Sequence, residues 1–474
     1  MDRTLSTRVL SGVLLCGWLA GVAAAQETDS FPPPKNLGDP STHGENIQRT
    51  MALLADSTPE NRNTVRILFY GQSITEQKWA DLVMDDLRKR FPDANLIMEN
   101  RALGGFASQR LVKTAETDLY PFYPDLLIFH VYGAHNTYED IIRRTRERTT
   151  AEILIQTDHI SRDQDWKNES TDPRTPPNQW PSFFNYNFLP GVVQKYSCGV
   201  VDQRNLWKEY LRENNLDAGD LLKDGVHLNA HGEYLMAELV KAELVRRNMM
   251  MVDPMDCGYV TTIPLESGST ANETAQLDVE GNRIDLIFKE DATAAVDIRI
   301  DGKKPSEFPA LYGFSRALPK PGSKWPVVAD LGSEAPLILE NWTMDVRKDP
   351  EKEGRYLFQL TGSKTGEDGS GNSEETFVSN SKRVVIEPSD WDVEFAMSTL
   401  AGVRPIPNEF TVKWSVVPYF EDSPVPPQVM DRAIERVVTV AQGLEDGPHR
   451  IELLGAGVDG IEAIRVYSPS RFQK

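Results

Sequence analysis

The chain has 474 residues, of which 40% are hydrophobic and 26% charged, with a formal net charge of −20. This length exceeds one ordinary core and the composition is that of a folded globular protein, so two or more domains are expected. A surface this acidic repels phosphate backbones, which sets nucleic acid aside as a partner.

Arg3 and Arg8 open the chain, and a small, apolar run follows from Val9 to Ala25. Ala23 and Ala25 fit an A-x-A cleavage pattern before Gln26. Residues 1–25 therefore read as a signal peptide, with a secreted or periplasmic location to match. The run is short for a membrane span and no later stretch would cross a bilayer, so no stable membrane insertion is expected. An exported compartment permits a disulfide between Cys198 and Cys257, and two free thiols are the equal alternative. Asn168, Asn272 and Asn341 head N-x-S/T sequons.

Residues 26–60 are polar and carry Pro32–Pro34; they read as a tail or linker, with one helix around Asn46–Ala55. In residues 61–252, apolar runs alternate with helical spacing. VRILFY, NLIMEN, DLLIFHVY, AEILIQT and CGVVD read as strands. EQKWADLVMDDLRKRF, SQRLVKTAETDLY, YEDIIRRTRERT, NLWKEYLREN and AHGEYLMAELVKAELVRR read as helices. This alternation implies a parallel sheet with helices on both faces, whose ligands sit at the carboxyl ends of the strands. Residues 253–474 change character. Turn dipeptides separate β-rich runs such as RIDLIF, AVDIRI, YLFQLT and FTVKWSVV, the pattern of an antiparallel β-sandwich domain. Thr365–Asn380 reads as a polar loop without EF-hand spacing.

Four places carry chemistry. In Gly71-Gln72-Ser73 a serine follows a strand and precedes a helix, which suits either a nucleophile at the sheet edge or a helix cap. In KDGVHLNAHG, Asp224 stands three residues before His227; a short loop lets the carboxylate hold Nδ1–H and leaves Nε2 to take a proton from Ser73. His231 competes but has no Asp three residues before it. NRALGGFAS holds Gly104 and Gly105, where a backbone N–H could meet a substrate oxygen or simply make a turn. VYGAHNTYE places His135 and Asn136 just past a strand, where either side chain could donate to an oxyanion or lead a helix.

These blocks, in this order at successive strand ends, resemble the SGNH (GDSL-like) hydrolases, a resemblance that spans Val65 to Met250. It implies a flavodoxin-like three-layer α/β fold and ester hydrolysis; with no H-E-x-x-H and no paired-Cys motif, no metal or cofactor is expected. Ser73 would attack, His227 would act as base and then acid, and Asp224 would orient His227. The amides of Ser73 and Gly105, with Asn136 or His135, would form the oxyanion hole. Gln72 stands where the family usually has Asp, and Asn136 is one place late for the family's Asn. His159, Trp180, Gln72 and Gly104 are candidates for substrate contact. The loop from Ser161 to Pro190 adds Trp166, Phe183, Phe184, Tyr186 and Phe188, to touch substrate or to pack under the loop. The composite expectation is a secreted carbohydrate O-acetylesterase with a carbohydrate ester or other small ester as substrate. A lipase or lysophospholipase on the same fold, and a non-catalytic glycan-binding protein, are the alternatives.

Overall fold

The computed structural model describes residues 31–163, 167, 169–247, 253–265, 274–320 and 323–472. The expected signal peptide, Trp166 and the sequons at Asn168 and Asn272 lie outside the described residues. Strand β1 (Thr64–Gly71) is the centre of the first half. Its side chains alternate between faces, as a pleated strand requires. Val65, Ile67 and Phe69 enter one apolar cluster with Trp79, Leu87, Trp207 and Leu239, while Leu68 and Tyr70 enter a second with Leu111, Phe129 and Ile141. Burying each large apolar side chain contributes about 1.5–3 kcal/mol, so helices on both faces hold the sheet.

Strands β2 (Asn95–Asn100), β3 (Leu126–His130), β4 (Glu152–Gln156) and β5 (Gly199–Val201) complete a parallel sheet of order β2-β1-β3-β4-β5. This is the flavodoxin-like order, whose crevice opens where β1 sends the chain to β2 on one side and borders β3 on the other. Helices α1 (Gln48–Ala55), α2 (Trp79–Arg90), α3 (Ser108–Asp118) and α4 (His135–Arg148) cover it, with later helices at Leu189–Tyr196, Gln203–Glu213 and Ala230–Glu243. The last of these stops a turn earlier than its sequence pattern suggests.

Residues 47–54 of the expected linker are packed. Ile47, Met51, Leu53 and Leu54 of this segment are buried. The Glu152 carboxylate at the start of β4 accepts from the Arg49 and Thr50 amides at 2.9 and 2.7 Å. That satisfies donors which the first turn of a helix leaves unpaired. Glu243, the last residue of its helix, accepts from the Gly44 amide at 3.2 Å. Polar composition hid this docking because the segment is held through buried carboxylates of distant elements.

The second half is antiparallel. One sheet runs Val260–Pro264, Ile461–Tyr467, Thr274–Phe288, Arg436–Leu454, Asp297–Ile300; a second large one is built on Leu318–Lys320, Glu409–Pro418, Asn341–Lys348, Tyr356–Gly362 and Gly366–Asn372, beside a small pair of Phe377–Val378 and Val385–Ile386. Each large sheet closes its own apolar core. Part of the expected polar loop at 365–380 is the edge strand Gly366–Asn372, paired to Tyr356–Gly362. Its glycines and polar side chains suit a solvent-facing edge, and buried Asp368 holds the return through the Ser381 amide and hydroxyl, each at 2.7 Å. Cys198 and Cys257 are free thiols. The halves are joined by the bidentate pair Arg110–Asp392 at 2.8 and 2.9 Å, by Lys113–Asp390 at 2.7 Å and by Arg316–Asp118 at 2.7 Å. Pro33–Lys474 forms one compact unit.

Burial pushes the Glu243 carboxyl up to about 7 against the lowering effect of the Gly44 amide. The folded value lies above the unfolded one, so the folded chain binds the extra proton and stability falls as pH rises from about 4.5 toward 7. Glu243→Gln is therefore expected to raise the melting temperature by a few degrees (about 2–4 °C) at pH 8 and to leave it unchanged at pH 4. Thermal scans at the two pH values check this, and an equal shift at both would sink it.

Candidate active site

Ser73 lies two residues beyond β1, at the crevice. Gly71 makes this possible by close approach: a Cβ there would stand 2.2 Å from the His130 carbonyl oxygen of neighbouring β3. The chain then folds into a turn in which the Thr75 and Glu76 amides donate to the Gln72 carbonyl at 2.8 and 3.1 Å. Helix α2 begins only at Trp79, so Ser73 does not cap it. The Ser73 hydroxyl instead meets His227 Nε2 at 2.9 Å.

His227 sits in the loop between Leu222 and Leu228, closed by the Lys223 amide donating to the His227 carbonyl at 2.9 Å. Asp224 accepts from the Val226 and His227 amides at 2.8 and 2.7 Å and meets His227 Nδ1 at 2.9 Å. A carboxylate only accepts, so Nδ1 carries the proton and Nε2 faces the serine as acceptor. The His227 and Val226 amides, then the imidazole, hold the Asp224 carboxyl down to about 2. The side chains of His227 and Asp224 are 34% and 52% exposed, so this is an open rim and not a buried slot. His231 is elsewhere, with Nε2 at 2.6 Å from the Tyr210 hydroxyl.

Two supports escaped the sequence reading. The Gln77 side chain donates to the Leu228 carbonyl at 2.9 Å and accepts from the Leu228 amide at 3.0 Å, tying the serine turn to the histidine loop. Glu76 accepts from the Gly104 amide at 2.7 Å. Both lie within five residues of Ser73, yet nothing local distinguishes them from ordinary polar turn residues. His159, a candidate for substrate contact, is buried; its Nε2 donates to the Val226 carbonyl at 2.9 Å and its ring packs on Trp207. Burial first, then the neighbouring His130, brings its pKa down to about 4, so the ring is neutral at ordinary pH.

Gly105 has φ +81°, a conformation that favours glycine. Among the described residues, the amides of Ser73 and Gly105 donate to no protein acceptor, whereas the Gly104 amide is taken by Glu76. His135 and Asn136 open α4 and part company. The His135 ring is enclosed by Phe188, Phe183, Phe184 and Trp180 at centroid distances of 4.6, 5.1, 5.7 and 6.2 Å, with Nε2 buried and unpartnered. Burial lowers its pKa. Asn136 is solvent-exposed. Trp180 stacks on Phe184 at 4.7 Å and stays half-buried; most of the described aromatics of its loop are thus a packed cluster. Gln72 is buried. Among the described residues no His, Cys, Asp and Glu side chains group to hold a metal, and no helix is long and apolar enough to cross a membrane.

A flavodoxin-like sheet that presents an aligned Ser-His-Asp line at its carboxyl edge defines an α/β protein with hydrolase-type site geometry. No protein-family model matches the chain and no curated protein matches it. Among solved structures, a two-domain esterase active on acetylated mannans is 13% identical, covering 90% of this chain and 97% of that chain at a TM-score of 0.34. The acetylxylan esterase Axe2 from Geobacillus stearothermophilus is 16% identical, covering 40% of this chain and 100% of that chain at a TM-score of 0.33. An α/β hydrolase enzyme from the metagenome of Lake Arreo, Spain, is 16% identical, covering 39% of this chain and 97% of that chain at a TM-score of 0.32.

Because His159 holds the carbonyl of the exposed Val226, His159→Phe is expected to speed hydrogen exchange at the Val226 and His227 amides by about tenfold, one hydrogen bond's worth. Exchange in β1 and β3 should not change. Unaltered exchange at both loop amides would show that the loop holds itself.

Proposed function

We propose that this chain is a serine esterase whose substrates are carboxylic esters, and that the acyl group is acetyl on a carbohydrate. The observation that carries the reading is the line from Ser73 Oγ to His227 Nε2 and from Nδ1 to Asp224, with both contacts at 2.9 Å. His227 takes the Ser73 proton as Oγ attacks the ester carbonyl, and Asp224 stabilises the imidazolium that results. His227 then gives the proton to the leaving alcohol. Water repeats the sequence on the acyl-serine, releasing the acid and regenerating Ser73. The unoccupied amides of Ser73 and Gly105 suit the oxyanion, and exposed Asn136, unlike the enclosed His135 ring, is available as a further donor.

The choice of substrate rests on the rim. Exposed Asp224 and His227 leave room for an ester carried on a bulky polar molecule. A net charge of −20 gives little attraction to an anionic lipid interface. Export from the cell, through the sequence at residues 1–25, belongs to the same proposal.

The test uses p-nitrophenyl esters and the purified full chain. Ser73→Ala and His227→Ala are each expected to lower kcat by about 10³-fold or more on the acetate ester, toward the protein-free rate. Activity should fall steeply from acetate to octanoate. Variants as active as wild type would refute the serine mechanism, and a preference for octanoate would refute the acetyl assignment.

A further inference from the structure

We propose that Trp325, from the second half of the chain, is a positioning residue that sets the direction and donor strength of the Gly105 N–H; this rests on the serine-esterase reading above. The Gly104 carbonyl and the Gly105 N–H belong to one planar peptide unit. The Trp325 indole Nε1–H donates to that carbonyl at 2.8 Å. It is the only donor an indole side chain has.

The same turn is gripped from its other side. The Gly104 amide donates to Glu76 Oε1, and Glu76 pairs with Lys324, the residue preceding Trp325. Leu400 packs against Gly105: a Cβ there would stand 2.4 Å from Leu400 Cδ2. Phe395 stacks on Phe106 with ring centroids 6.2 Å apart. The neighbouring amides are all used, Gly104 on Glu76 and Phe106 on the Leu103 carbonyl at 3.0 Å. Among the described residues the Gly105 N–H has no acceptor, which leaves it for a substrate.

A Gly-Gly pair has the widest backbone freedom of any dipeptide. Left alone, its peptide plane can swing and carry the N–H away from the oxyanion with little steric cost. The Trp325 bond opposes that rotation, because turning the plane breaks it. It also polarises the unit, since a donor on the carbonyl strengthens the N–H across the same amide. An oxyanion hole depends on donors that are already aimed before charge develops. The bland role for Trp325 is packing: its ring contacts the apolar clusters of both halves. Ring packing and the N–H bond can be separated chemically.

The experiment compares wild type, Ser73→Ala, Trp325→Phe, and the full chain with β-(3-benzothienyl)alanine at position 325. That last residue keeps the bicyclic shape and replaces N–H by sulfur. For each, kcat and KM on p-nitrophenyl acetate and the melting temperature are measured. The expected result is a fall in kcat of about tenfold in both Trp325 variants, with KM within about twofold and the melting temperature of the benzothienyl protein unchanged. Wild-type kcat in the benzothienyl protein overturns the proposal, as does a rise in KM alone, which would make Trp325 a substrate contact. Loss of fold in the benzothienyl protein also overturns it, because the N–H would then be structural. If Trp325→Phe alone misfolds, the benzothienyl protein decides. If Ser73→Ala keeps the wild-type rate, the serine-esterase reading itself has failed, an outcome distinct from any result at position 325.

Discussion

The hydrogen bond between Ser73 Oγ and His227 Nε2 joins residues 154 positions apart, and the rest of the site is arranged so that this one contact can exist. β1 must run close enough to β3 that no side chain fits at Gly71. The histidine loop must be held at a fixed height above the same edge. Gln77 does this from below by taking both polar atoms of the Leu228 backbone, and His159 does it from the core by taking the Val226 carbonyl. The backbone groups they hold, on Leu228 and Val226, lie on either side of His227 in sequence.

The electrostatics follow from an open setting. Asp224 is not buried, yet it stays ionised to about pH 2 because two backbone amides and an imidazole point at it. A loop that supplies its own amides can keep a carboxylate charged without the desolvation cost of burying it. This leaves the rim accessible while fixing the His227 tautomer. The enclosed ring of His135 shows the opposite choice: among four aromatic side chains it contributes packing.

The second half of the chain is built into the first. Ion pairs at Arg110, Lys113 and Arg316 fasten it to α3, the helix that follows the Gly104-Gly105 turn. Trp325, Lys324 and Leu400 then reach the turn itself. A glycine pair needs such outside support, since its own backbone has no preference strong enough to hold one orientation.

The amino-acid sequence by itself determined the alternation of strands and helices, the parallel sheet and the β-rich second half, because apolar periodicity is a local property that burial on one or two faces imposes directly. Ser73, Asp224 and His227 were legible for the same reason: Asp224 and His227 share one short loop, and Ser73 stands at a strand-to-helix turn whose glycine is visible. Tertiary structure alone decided what supports them. Gln77 and Glu76 look like any polar turn residues until Leu228 and Gly104 are placed beside them. His159 could have lined a pocket, and only its burial against Trp207 and the Val226 carbonyl made it a support. The packed segment 47–54, the free thiols and the reach of Trp325 into the Gly104 carbonyl all depend on pairs distant in sequence. Those pairings are set by how whole elements pack, and no local window of residues encodes them.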